Sequence, residues 1–278
     1  MKFAQGSITA VVRSLNARRA DDDNDGGHYV KDLKKIALYA DSSGNSFYKY
    51  FIFRTDVRQL YFALAALHAQ SADYILTFPA EYNEISRLDL IALAGAKDLN
   101  GLMRAVKDTP YEEAMRDALT EYARTNSVLI AQTVLEKAAD VKFTEYAGGT
   151  KGRAGSGTEP SKKFRQSELY ALRATESDLA LIRYFSRLTR FSIPDNERAA
   201  LGDPAFTLLP EPRLRLLTRL KTTEDLPGIL SGTPYSALDP ADVEGSASGI
   251  LRNKLNKTLT WSVDPDELVF AYLSRRSI

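Results

Sequence analysis

The chain has 278 residues, and 37 basic against 36 acidic side chains leave a formal charge of +1, which excludes a chain-wide positive field for nucleic acid. There is no cysteine and there are two histidines, His28 and His68, so disulfides, thiolate nucleophiles and sulfur-ligated metal sites are excluded. Hydrophobic residues at 44% and charged residues at 26% suit a globular protein with a sizeable core, and 16 glycines with 11 prolines are too few for a turn-dense β architecture.

The expected fold is all-α, in two globular units or one large one. The first residues lack a continuous apolar segment, and no later run approaches the ~20 apolar residues of a membrane span. The chain is therefore expected to be soluble and unprocessed.

In chain order, Ile8, Val11, Val12 and Leu15 predict a helix from Ser7 to Ala20. An acidic break comes next, then a short helix from Lys31 to Tyr39. The aromatic run Phe47 to Phe53 fits either a strand or a helix. Thr55 or Asp56 is a candidate cap for a helix ending near Gln70, and Ser86 with Asp89 and then Asp98 start two short helices. Thr109-Pro110-Tyr111-Glu112 reads as a helix start: hydroxyl cap, proline in the first turn, glutamate reaching back. A long apolar stripe runs on to about Tyr146, broken near Thr125-Asn126-Ser127. Residues 148–163 are rich in glycine and serine and read as a linker. Helices are then expected at Glu168 to Phe191, Arg213 to Leu220, Glu224 to Leu230, Ile250 to Trp261 and Glu267 to Arg276.

A repeat organises these elements. Lys97-Asp98-Leu99-Asn100-Gly101-Leu102 and Glu224-Asp225-Leu226-Pro227-Gly228-Ile229 share one pattern, and each precedes Thr-Pro-Tyr, at Thr109-Pro110-Tyr111 and Thr233-Pro234-Tyr235. Glu168-Leu169 and Glu267-Leu268 open comparable helices downstream. The reading is a tandem duplication, with residues 1–71 as an extension, 72–200 as the first helical repeat and 201–278 as a shortened second one.

No catalytic constellation is visible. Asp21, Asp23, Asp25 and Asp32, with Gly26, match the spacing of a calcium loop, although an aspartate at the twelfth place is short for bidentate reach. The glycines of 148–157 do not make a Walker loop. Glu176 and Asp178, two apart on a helix, point about 200° apart and cannot act as an acid/base pair.

The two Thr-Pro-Tyr motifs, each behind a short Asp-Leu helix, resemble the small helical domains of the central-stalk subunit called C in archaeal-type and d in vacuolar-type rotary ATPases. Glu176-x-Asp178 followed by Ile182 and Phe185 is similar to that family's Glu-x-Asp helix, with Ala180-Leu181 where an asparagine is usual. Leu208 to Leu217 with Pro210 resembles the family's lead-in to a next domain. The likeness runs from about Tyr74 to Ile278.

It implies a funnel-like, all-α coupling piece of the cytoplasm that catalyses nothing and takes no cofactor. Its implied partners are the central shaft and the proteolipid ring; it touches the membrane only through the ring and binds no nucleic acid. The competing reading is a soluble helical adaptor, or a calcium-responsive protein switched by the acidic loop 21–32; a metal-dependent helical enzyme stands third.

Overall fold

The computed structural model describes residues 2–18, 26–43, 46–70, 80–148, 162–189, 197–199, 202 and 204–276. Among these every regular element is a helix, and no strand occurs. The chain divides into two compact units, Met1–Thr158 and Glu159–Arg276.

In the first unit, α1 (Lys2–Arg18) buries Ile8, Val12 and Leu15, one helical face, against α2 (Gly26–Ser43), which buries Val30, Leu33 and Ile36. The aromatic run opens α3 (Tyr48–His68) and settles as a helix: Phe47, Tyr50 and Phe51 recur at three and four residues, and all three are buried. Phe143 of α7 (Val128–Gly148) packs edge-on against Phe47 and Tyr50, at centroid distances of 5.7 and 4.9 Å. Because this stripe carries the helix upstream, Thr55 and Asp56 lie inside α3 and are buried, where the sequence alone suggests exposed caps.

A 3₁₀ turn, Ala80–Glu84, leads to α4 (Leu90–Ala94) and α5 (Leu99–Val106). Asp89 accepts the free amides of Ile91 and Ala92, and Asp98 accepts that of Gly101 at 2.6 Å. At Gly101 a Cβ would meet Ala96 at 3.2 Å, so a side chain here would press Ala96 away by a few tenths of an ångström. Then α6 (Glu112–Thr125) ends on left-handed Asn126, φ 54°, and Ser127 Oγ accepts the Ile130 amide as α7 begins. α7 packs along both α3 and α6.

The second unit starts with α8 (Lys162–Arg165) and α9 (Glu168–Leu188), the latter capped by Ser167. Next come α10 (Glu211–Thr218), a 3₁₀ turn at Thr223–Asp225 and α11 (Leu226–Leu230). α12 (Val243–Trp261) and α13 (Pro265–Arg276) pack on α9, closing a core that includes Leu172, Ile182, Phe185, Leu255, Phe270 and Leu273. Helix C-termini leave carbonyls to satisfy. Arg198 donates to those of Leu188, Thr218 and Leu220 at 3.1–3.4 Å, and Arg213 to those of Gly228 and Ser231. Glu244 of α12 is held by Arg183 and Arg187 of α9 at 2.5 and 2.6 Å.

The single boundary falls inside the glycine-rich segment 148–163. The sequence reads that segment as a linker. α3 forms one wall of the first core through α7, and α9 forms one wall of the second through α12 and α13.

Candidate functional site

Each Thr-Pro-Tyr sits at the same kind of turn. In the first unit Lys107 (φ −57°, ψ 138°) precedes left-handed Asp108 (φ 60°), and the Thr109 amide closes on Val106 O at 3.1 Å. In the second, Ser231 (φ −54°, ψ 131°) precedes left-handed Gly232 (φ 72°), and Thr233 closes on Leu230 O at 3.0 Å. Both are type II turns. In both, the threonine hydroxyl donates back to the same carbonyl, Val106 or Leu230, and accepts the tyrosine amide, Tyr111 or Tyr235. Pro110 and Pro234 stay exposed while Tyr111 and Tyr235 turn fully inward.

The two turns lead into different elements. Glu112 opens α6 directly, its carboxylate accepting the Asp108 amide at 2.9 Å. After Tyr235 the chain keeps turning until Asp242 caps α12, so Thr233-Pro234-Tyr235 is not the helix start that the motif suggests. Pro240 lies in between, and it blocks a helix from starting at the tyrosine.

The inward tyrosines end on buried aspartates. Asp56 of α3 has no solvent exposure: Oδ1 accepts the hydroxyls of Tyr82 (2.9 Å) and Ser86 (2.7 Å), and Oδ2 accepts Tyr111 Oη (2.5 Å) and the Arg87 amide (3.4 Å). Asp178 of α9 is equally enclosed: Oδ1 accepts Thr207 Oγ1 (2.5 Å), and Oδ2 accepts Tyr235 Oη (2.7 Å) and the Leu208 amide (2.8 Å). Ser86 and Thr207 also accept the amide two residues on, from Leu88 and Leu209. The sequence intervals agree. Tyrosine comes 55 and 57 residues after aspartate, and the hydroxyl residue 30 and 29 after it.

Burial pushes the carboxyls of both Asp56 and Asp178 above the ordinary range, and the hydroxyl and amide donors around them pull back only part of the way. Burial, with the adjacent aspartate second, raises Tyr111 and Tyr235 strongly, so both phenols remain donors. Among the described residues neither carboxylate has an ion-pair partner. The ~4 acceptor sites of Asp56 are all taken, which leaves none for a substrate proton. The chemistry is that of a structural node: one acceptor gathers a loop, a turn and a long helix.

The remaining candidates lie apart. Glu176 pairs with Arg173 at 3.1 Å, both buried, and the Arg173 guanidinium lies 5.9 Å from the Phe206 ring centroid. His68 Nδ1 meets Tyr122 Oη at 2.8 Å, and His28 lies on α2. Asp32 is inside α2, which begins at Gly26, and is 2% exposed, so it stands in a helix and not in a loop. Asp21, Asp23 and Asp25 lie outside the described residues. Among the described residues no group of three His, Asp or Glu is placed to hold a metal, and no helix is long and apolar enough to cross a membrane.

Sequence reading takes Asp56 and Ser86 only as helix caps and does not single out Tyr82 or Thr207. A usable signal exists. Ser86-Arg87-Leu88 and Thr207-Leu208-Leu209 sit at matching intervals behind Asp56 and Asp178.

A family model described as the ATP synthase (C/AC39) subunit matches residues 27–276. The chain belongs to that family, the C/d subunits of V/A-type rotary ATPases. The match takes in α3 with Asp56, so the C/AC39 pattern begins well before residue 72, and both carboxylate nodes fall within it. No curated protein matches the chain.

Proposed function

We propose that this C/AC39 chain is the non-catalytic central-stalk subunit of a V/A-type rotary ATPase, coupling the rotating shaft to the membrane proteolipid ring during ion transport. The family match over residues 27–276 carries the reading. The nodes support it physically. A coupling piece must resist deformation under load, and each unit ties a short-helix loop to its longest wall through a buried, donor-saturated carboxylate rather than through solvent-exposed ion pairs, which hold little.

The partners under this reading are the shaft and ring subunits, with membrane contact through the ring and a cytoplasmic location. The test is purification of the tagged native chain from solubilised membranes. Nucleotide-binding and proteolipid subunits are expected in stoichiometric amounts; a chain recovered without either overturns the reading.

A further inference from the structure

The corner between α12 and α13 is built to be rigid. Ser262 Oγ donates to Glu267 at 2.6 Å and accepts the Asp264 amide at 3.1 Å, while Asp264 Oδ1 accepts the amides of Asp266 and Glu267. On this fixed corner stand Trp261, 77% exposed, and Val263, 81% exposed, two of the most exposed large apolar side chains described. Trp261 is the chain's one tryptophan.

The duplication supplies an internal comparison. The corresponding corner between α6 and α7, Thr125-Asn126-Ser127, exposes Ala123, Arg124 and Asn126 and no large apolar side chain. The α6–α7 joint turns on left-handed Asn126 and the α12–α13 joint on extended Ser262, so the two junctions differ in geometry, and the first carries a polar tip.

The charge around the tip selects a partner. Asp264 and Glu267 bond to amides and to Ser262, and among the described residues neither is held in an ion pair. Asp264, Asp266 and Glu267 follow the tip in sequence and Lys257 stands one turn before Trp261, so carboxylates outnumber the lysine beside it. Lys254 reaches Glu168 at 3.8 Å on the helix side. An anionic lipid surface fits such a rim poorly.

We infer that Trp261 and Val263 form the centre of a docking surface for another subunit of the complex, one that offers an apolar socket bordered by lysine or arginine. This rests on the function proposed above. Two side chains do not make an interface of ~1,000 Å² or more, but a buried tryptophan inside an acidic rim has the character of a binding hot spot.

The test uses the full chain with 5-hydroxytryptophan at position 261, so that this residue is excited apart from the partner's tryptophans, titrated with the rotary complex depleted of this subunit. Binding is expected to shift its emission to the blue. W261A should weaken binding by ~30-fold or more and D264K by a smaller factor, whereas R124A on the polar corner leaves affinity unchanged. Trp261 is too exposed for its truncation to unfold the chain, and an unchanged circular-dichroism melt checks this. If the native chain binds and W261A binds equally well, the docking surface is overturned while the stalk reading stands. If the native chain does not bind the depleted complex, both fall. A concentration-dependent blue shift of the isolated chain, or a shift on vesicles of phosphatidylglycerol, replaces the subunit with a second copy or with lipid and overturns the inference.

Discussion

A single hydroxyl decides how firmly each turn is held. Tyr111→Phe and Tyr235→Phe remove the phenol from Asp56 and Asp178 without changing the packed ring, and each is expected to cost about 1.5–3 kcal/mol, the range for a hydrogen bond to a charged group. Tyr122→Phe, which loses only the exposed bond to His68, should cost about 0.5 kcal/mol or less. Urea unfolding measures all three; equal costs would contradict the node. The turns add a smaller effect. Asp108 holds a left-handed conformation that Gly232 adopts freely, so Asp108→Gly should gain about 0.5 kcal/mol and Gly232→Ala should lose about 1 kcal/mol.

The nodes also fix a pH dependence. A carboxyl raised by burial takes up its proton at a higher pH in the folded chain than in the unfolded one. Its stabilisation is therefore complete below the ordinary carboxylate range near ~4 and is lost as pH rises through the folded value. The stability advantage of the native chain over the Asp56→Asn/Asp178→Asn double variant should shrink as pH climbs from about 4 towards neutrality, read by denaturant titrations at each pH. A gap independent of pH contradicts the burial of these groups.

At the scale of elements, the helices are legible where caps and apolar stripes agree, as with Asp89 and Asp98, whose side chains accept the amides that their positions suggest. Legibility fails where tertiary contacts overrule a local signal. Thr55 and Asp56 look like caps because short polar residues favour helix starts, yet the aromatic stripe begins α3 at Tyr48 and moves them into the core. The Thr-Pro-Tyr motif is visible as a repeat, but its partner aspartate lies more than fifty residues away, and no local period reports such a bond.

The α9–α12 clasp makes an element-scale test. Burial pushes Glu244 up, but Arg187 and Arg183 outweigh it and hold the carboxyl below its usual range. Its contribution is then present above the ordinary glutamate value and lost as pH falls through the folded one. These side chains are 34–61% exposed, so Glu244→Gln should cost only about 0.5–1 kcal/mol, and 1 M salt should remove most of the difference.

At the scale of the whole molecule, two units share an aspartate on a long helix, a hydroxyl turn, a short helix, a type II turn and an inward tyrosine, in that order. The first adds α1 and α2 ahead of the shared pattern. Each unit thereby carries the same kind of buried tie between a turn and a long helix. The most direct measurement of the central claim compares ATP hydrolysis with ATP-driven ion uptake in membrane vesicles lacking this chain and after adding it back. Hydrolysis by the released headpiece should persist without uptake, and added chain should restore uptake; uptake that proceeds at the native ratio in its absence would contradict the account.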